Sequence, residues 1–178
     1  MKVIPYRITL LEPLLATRLA GDPNSSVSYP YVPGSMVRGA VVAAYLHDKQ
    51  VDALDAGDTA AQRLFFDGRT RFLNAHPVTA DGKRTLPTPR TWFAVKGDTL
   101  NAIYTIYDFA LAALTEIEDE RKQVEAVASE SRPFCQIDDE QVFIVAPKRR
   151  VNVHTQRDRI KGKATQEKGA VFQYDALD

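Results

Sequence analysis

Apolar and polar positions alternate over residues 2–11, placing Ile4, Tyr6, Ile8 and Leu10 on one side of an extended chain. A period of two predicts a β-strand, and Pro5 marks it as an edge strand or sits near its start. From Pro13 to Pro33 the pattern dissolves into turn formers, among them Gly21, Pro23, Asn24, Ser25, Ser26 and Pro30. This predicts a loop, long for a compact domain and of a length often tied to function. The period then changes. Val37, Ala40, Val41, Ala44 and Tyr45 recur at helical spacing, with Ser35 as the expected N-cap and His47 and Asp48 near the helix end.

Beyond a polar stretch through Gly57, Leu64, Phe65 and Phe66 form a short apolar burst. A second strand is expected over 71–78, a turn at Asp81-Gly82, and an extended, irregular segment around Pro87 and Pro89. Ile106, Phe109, Ala110 and Ala113 have helical spacing over 104–114, and the acidic run beyond predicts that this helix continues to about Ala128. Residues 141–146 read as a strand. Val151 and Val153 then alternate with Arg150, Asn152 and His154, which predicts a strand with one basic face. A polar loop from Gln156 to Lys168 follows, and Ala170, Phe172 and Tyr174 alternate in a returning strand. Together these segments predict a β-hairpin with a long, lysine-rich tip.

The 178 residues suit one domain, or one and a half, and 44% hydrophobic with 26% charged residues is the balance of a water-soluble globular chain. No stretch is long and apolar enough to span a bilayer, and the start lacks the continuous apolar core of a signal peptide. The single Cys135 excludes an internal disulfide and a thiolate zinc cluster, as expected for a cytoplasmic chain.

Formal net charge is zero, but its distribution is uneven. Between Asp108 and Glu140 acids dominate, with only Arg121, Lys122 and Arg132 opposing them. Between Pro147 and Lys168 the sign flips. Lys148, Arg149, Arg150, Arg157, Arg159, Lys161, Lys163 and Lys168 face only Asp158 and Glu167. A solvated loop is the plain reading of such a run. The functional one is a phosphate-binding surface that gains salt-dependent affinity by counterion release, with Asn152, His154 and Gln156 offered to base edges or riboses.

The segment Tyr31-Val32-Pro33-Gly34-Ser35-Met36-Val37-Arg38-Gly39-Ala40 resembles the PGS-x-hydrophobic-[RK]-G signature of CRISPR-associated RAMP proteins. Residues 19–26, 64–77, 85–93 and 149–177 extend the likeness, over most of the chain, to the type III-D, Cas-five-like subunit family called Csx-ten. The resemblance implies an α+β, ferredoxin-like (RRM-like) RAMP domain over 1–178, with an irregular and helical insertion at 79–140 and a thumb-like basic hairpin at 147–175. It implies an RNA-binding, non-catalytic subunit that holds CRISPR RNA near its 5′ handle beside other RAMP subunits and the large subunit, without a cofactor or metal. Guide contact is carried to Gly34, Ser35, Arg38 and Gly39, at a helix N-terminus suited to phosphate. It is carried also to the hairpin residues 149–168. The family's late glycine-rich loop has no counterpart after Gly169, so the chain is expected to be the N-terminal part of a longer protein.

Two alternatives stand beside this. Asp22 occupies a place similar to the target-cleaving aspartate of Cas-seven-like backbone subunits, although Asp22-Pro23-Asn24 also reads as a plain turn. A scaffold without RNA contact, docking through residues 116–125, is the other. Of the histidines, His154 lies on the basic face and is the best placed for acid–base work, ahead of His47 and His76, but no motif sets a second histidine or tyrosine beside it. Trp92, Phe93, Tyr29 and Tyr31 are candidates for base stacking or for ordinary packing. No P-loop or nucleophile-elbow serine is present.

Overall fold

A computed structural model describes residues 2–17, 25–101, 103–111, 123–139, 141–155 and 171–178. The chain mixes helix and sheet and divides into two compact units, one formed by Met1–Ala75 with Pro147–Asp178, the other by His76–Ala146. No helix among the described residues is long and apolar enough to cross a membrane.

The first unit carries a three-stranded sheet. Strand β1 (Ser25–Val27) pairs parallel with β9 (Val171–Leu177), which pairs antiparallel with β8 (Arg149–Thr155). Leu14 extends the β1 side of β9 through reciprocal backbone hydrogen bonds with Leu177, at 2.8 and 2.9 Å. Ser28 is fully buried beside Ala16, whose N–H donates to the Ser28 Oγ.

Helix α1 (Gly34–Lys49) follows, then the short α2 (Thr59–Ala61) running into a π-helical turn at Gln62–Phe66. Phe65 in that turn is buried, stacks on Phe72 and meets Tyr45 of α1 edge-on. Helix α1 ends in a Schellman arrangement: Val51 N–H donates to the Leu46 carbonyl and Gln50 N–H to that of His47, with Gln50 left-handed at φ 56°. His47 and Lys49 lie in its last turn, where a cation suits the helix dipole.

The second unit holds two small antiparallel sheets. In one, β2 (Leu86–Pro87), β6 (Phe134–Asp138) and β7 (Gln141–Val145) lie in the order β2-β6-β7. In the other, β3 (Trp92–Val95) is central between β4 (Tyr107–Asp108) and β5 (Val124–Ala126). Trp92, Ala94, Val127 and Cys135 form its core, with Tyr104, Ile106, Val142 and Ile144 packed against them. The Trp92 indole N–H is satisfied by the Asp108 carboxylate at 3.1 Å.

Several expectations are corrected. Residues 2–11 form no strand. A strand needs a neighbour for its backbone groups, and no described strand pairs with this segment, in which the Tyr6 hydroxyl donates to the Leu73 carbonyl and Ile4 is 83% exposed. Over 71–78 only isolated bridges occur, Ala75 with Val32 and Val78 with Arg84. The helix expected from 104 to about 128 is replaced at Tyr107–Asp108 and Val124–Ala126 by strands flanking β3, and residues 112–122 lie outside the described residues. Ser35 is not the N-cap of α1. Pro33 holds that place, and its carbonyl accepts from Met36 and Val37.

Candidate nucleic-acid interface

Strands β8 and β9 are seven residues each and pair along their whole length, from Arg149 opposite Leu177 to Thr155 opposite Val171. Side chains alternate between the two faces of such a pair. Arg150, Asn152 and His154 therefore share one face with Tyr174 and Ala176, and Asn152 stands directly opposite Tyr174. The His154 and Tyr174 rings approach to 5.4 Å between centroids at an angle of 57°. Arg150 and His154 are exposed and Asn152 is half-buried. No described residue forms a side-chain hydrogen bond or ion pair with any of the three. Lys148, just before β8, is also exposed, while its carbonyl accepts from the Asp178 N–H.

Arg149 falls on the opposite face, and its guanidinium is already engaged. It pairs with the Asp175 carboxylate and donates to the Ser28 carbonyl at 3.2 Å. One cation thus ties β8, β9 and the end of β1 together, a use for its fork of donors different from the expected guide contact. Gln156, Arg157, Arg159, Lys161 and Lys163 lie outside the described residues, as does Asp22.

The second expected group sits at the start of α1, and here too structure claims several of the residues. A Cβ on Gly34 would stand 2.1 Å from the Phe72 carbonyl oxygen, so glycine is required for close approach of two backbone segments. The Gly34 N–H donates to the Asn74 side-chain oxygen at 2.8 Å. Asn74, far away in sequence, does the capping that Ser35 was expected to do, and takes a donor that a phosphate would have used. Arg38 reaches the Phe65 carbonyl at 3.0 Å with its guanidinium 6.0 Å from that ring, fastening α1 to the π-helical turn. Ser35 and Gly39 are exposed, and Gly39 has open space where a Cβ would stand.

The remaining candidates divide similarly. His47 is exposed on α1. His76 lies 4.9 Å from the Phe134 ring, and burial pushes its pKa below the usual histidine value, favouring the neutral form. Trp92 belongs to the second unit's core, and Phe93 stacks on Phe109 at 4.7 Å; Tyr29 and Tyr31 approach each other at 5.2 Å. An open groove of about 570 Å³ in the second unit passes Asp81, Lys83 and Asp138, with Lys83 paired to both carboxylates. No cluster of three or more metal-ligating side chains occurs among the described residues.

Tyr174 was not among the sequence candidates for contact, and its hairpin register is the signal that finds it. Asp175, Ser28 and Asn74 carry no local signal, because each acts on a residue distant in sequence. No family model and no curated protein matches this chain.

Proposed function

We propose that the chain is a non-catalytic, RNA-binding subunit of a cytoplasmic CRISPR type III-D effector complex. On this reading it is a ferredoxin-like RAMP protein that holds CRISPR RNA near its 5′ handle and takes part in assembly with neighbouring subunits. One observation carries the reading: a long β-hairpin displays Arg150, Asn152 and His154 on one face with no side-chain hydrogen bond or ion pair to them from the described residues, and the sequence continues into the basic run 156–168. Groups of this kind are what a polyanion needs, a cation for phosphate and neutral donors and acceptors for bases or riboses. The PGS-type signature supports the family assignment by resemblance, with Gly34 and Arg38 serving the helix's packing.

The test is RNA binding by the purified chain at two salt concentrations, comparing a guide RNA bearing its 5′ handle with the same RNA lacking it. Handle-dependent, salt-sensitive binding is expected. A folded chain that binds neither RNA overturns the reading.

A further inference from the structure

We propose that Asn152 and Tyr174 form a base-binding step for one unpaired nucleotide, with a preference for adenine. The proposal rests on the RNA-binding reading above and gives the hairpin face a specific task. The two residues are direct cross-strand partners, so their side chains rise side by side from the same face, on the order of 5 Å apart at Cβ. Tyr174 brings an aromatic surface and His154 a second ring 5.4 Å away, tilted rather than stacked against it. The half-buried Tyr174 ring is thus flanked by an imidazole, and no ring among the described residues stacks parallel on it.

The Asn152 amide, beside that ring, presents a carbonyl acceptor and an NH2 donor with no partner among the described side chains. This pairing matches the adenine edge, where N7 accepts and the N6 amino group donates. Arg150, two residues before Asn152 on the same face, stands opposite the small Ala176. Its exposed guanidinium is offered to the adjoining phosphate. A base in a duplex has both faces stacked on its neighbours, so a ring-facing site of this kind selects single-stranded RNA.

The experiment measures binding of the full chain to labelled oligo(A) and oligo(U) of equal length, and to a duplex of the two, across a salt series. Tighter binding of oligo(A) than of oligo(U), by about tenfold, is expected, with the duplex weakest. Asn152→Ala removes the preference for oligo(A) and leaves the salt slope unchanged. Tyr174→Leu weakens both single strands by about tenfold, while Tyr174→Phe retains binding. Circular dichroism of each variant verifies folding, and Asn152→Ala gives the answer independently should Tyr174→Leu fail to fold. Equal affinity for oligo(A), oligo(U) and duplex, or an Asn152→Ala chain that keeps its preference, overturns the base step while leaving RNA binding intact. Absence of binding to all three overturns both readings.

Discussion

The guanidinium of Arg149 on β8 pairs diagonally across the hairpin with the carboxylate of Asp175 on β9, two residues from its direct partner, Leu177. Arg149 also holds the Ser28 carbonyl, and the second Asp175 oxygen, Oδ1, is buried with no hydrogen-bond partner among the described residues. Removing the arginine leaves a largely buried carboxylate without its cation. Arg149→Ala is expected to destabilise the chain by about 2 kcal/mol, seen as a lower urea midpoint. An unchanged midpoint would refute a structural role for Arg149.

Arg150, one residue on, faces the other way and serves as the contrasting case. Arg150→Ala is expected to leave the urea midpoint within about 0.5 kcal/mol of wild type. It should reduce the slope of log affinity for RNA against log salt by about 1. The two variants thereby separate a folding role for Arg149 from the binding role proposed for Arg150. A salt slope unaffected by Arg150→Ala counts against phosphate contact on this face.

Gly34 has no room for a methyl group against the Phe72 carbonyl. Gly34→Ala must push the start of α1 away from residues 72–74 and strain the Asn74 cap. A loss of about 1–3 kcal/mol is expected in denaturant unfolding. At the other end of the same helix the direction reverses. Gln50 is left-handed without being glycine, and Gln50→Gly is expected to raise stability by up to about 1 kcal/mol.

Asp58 ties α2 to α1. The Tyr45 hydroxyl donates to its Oδ2 at 2.5 Å and the Ala60 N–H to its Oδ1 at 3.0 Å. The tyrosine bond, then the backbone bond, hold the carboxyl below its ordinary value of 3.8, and the same contact raises Tyr45 above 10.0. The Asp58 contribution is therefore present above its unfolded value and fades as pH falls through the lower folded one. That of Tyr45 is present below its unfolded value and fades as pH rises through the higher folded one. Tyr45→Phe is expected to move the Asp58 titration, followed by carboxyl NMR, upward, and to flatten the acid limb of stability below about pH 4. No upward movement would show that the hydroxyl does not set the carboxyl's acidity.

Strands β8 and β9 and helix α1 are legible because each has a clean period: Arg149–Thr155 alternates, and Gly34–Lys49 repeats at helical spacing. Strand β3 is not. Its sequence Trp-Phe-Ala-Val is apolar throughout, because Trp92 and Ala94 fill a core while Phe93 and Val95 are still half-covered. The helix expected over Tyr104–Leu114, which is absent from residues 104–111, arose from apolar residues that happen to fall at helical spacing. Tyr104 and Ile106 pack into the second unit's core, whereas Leu111 is 89% exposed, and no helical stripe joins them. The basic face was legible residue by residue at Arg150, Asn152 and His154. The engagement of Arg149, Gly34 and Arg38 was not, because Asp175, Asn74 and Phe65 reach them only once the chain is folded.

The parallel pairing of β1 with β9 also sets a timetable. Ser25–Val27 are made well before their hydrogen-bonding neighbours at Gln173–Asp175. The second unit, by contrast, is one continuous stretch, His76–Ala146, whose strands find partners among themselves. During translation, this later-encoded stretch has all its partners first. Strand β1 must wait for its neighbour until β9 has been made.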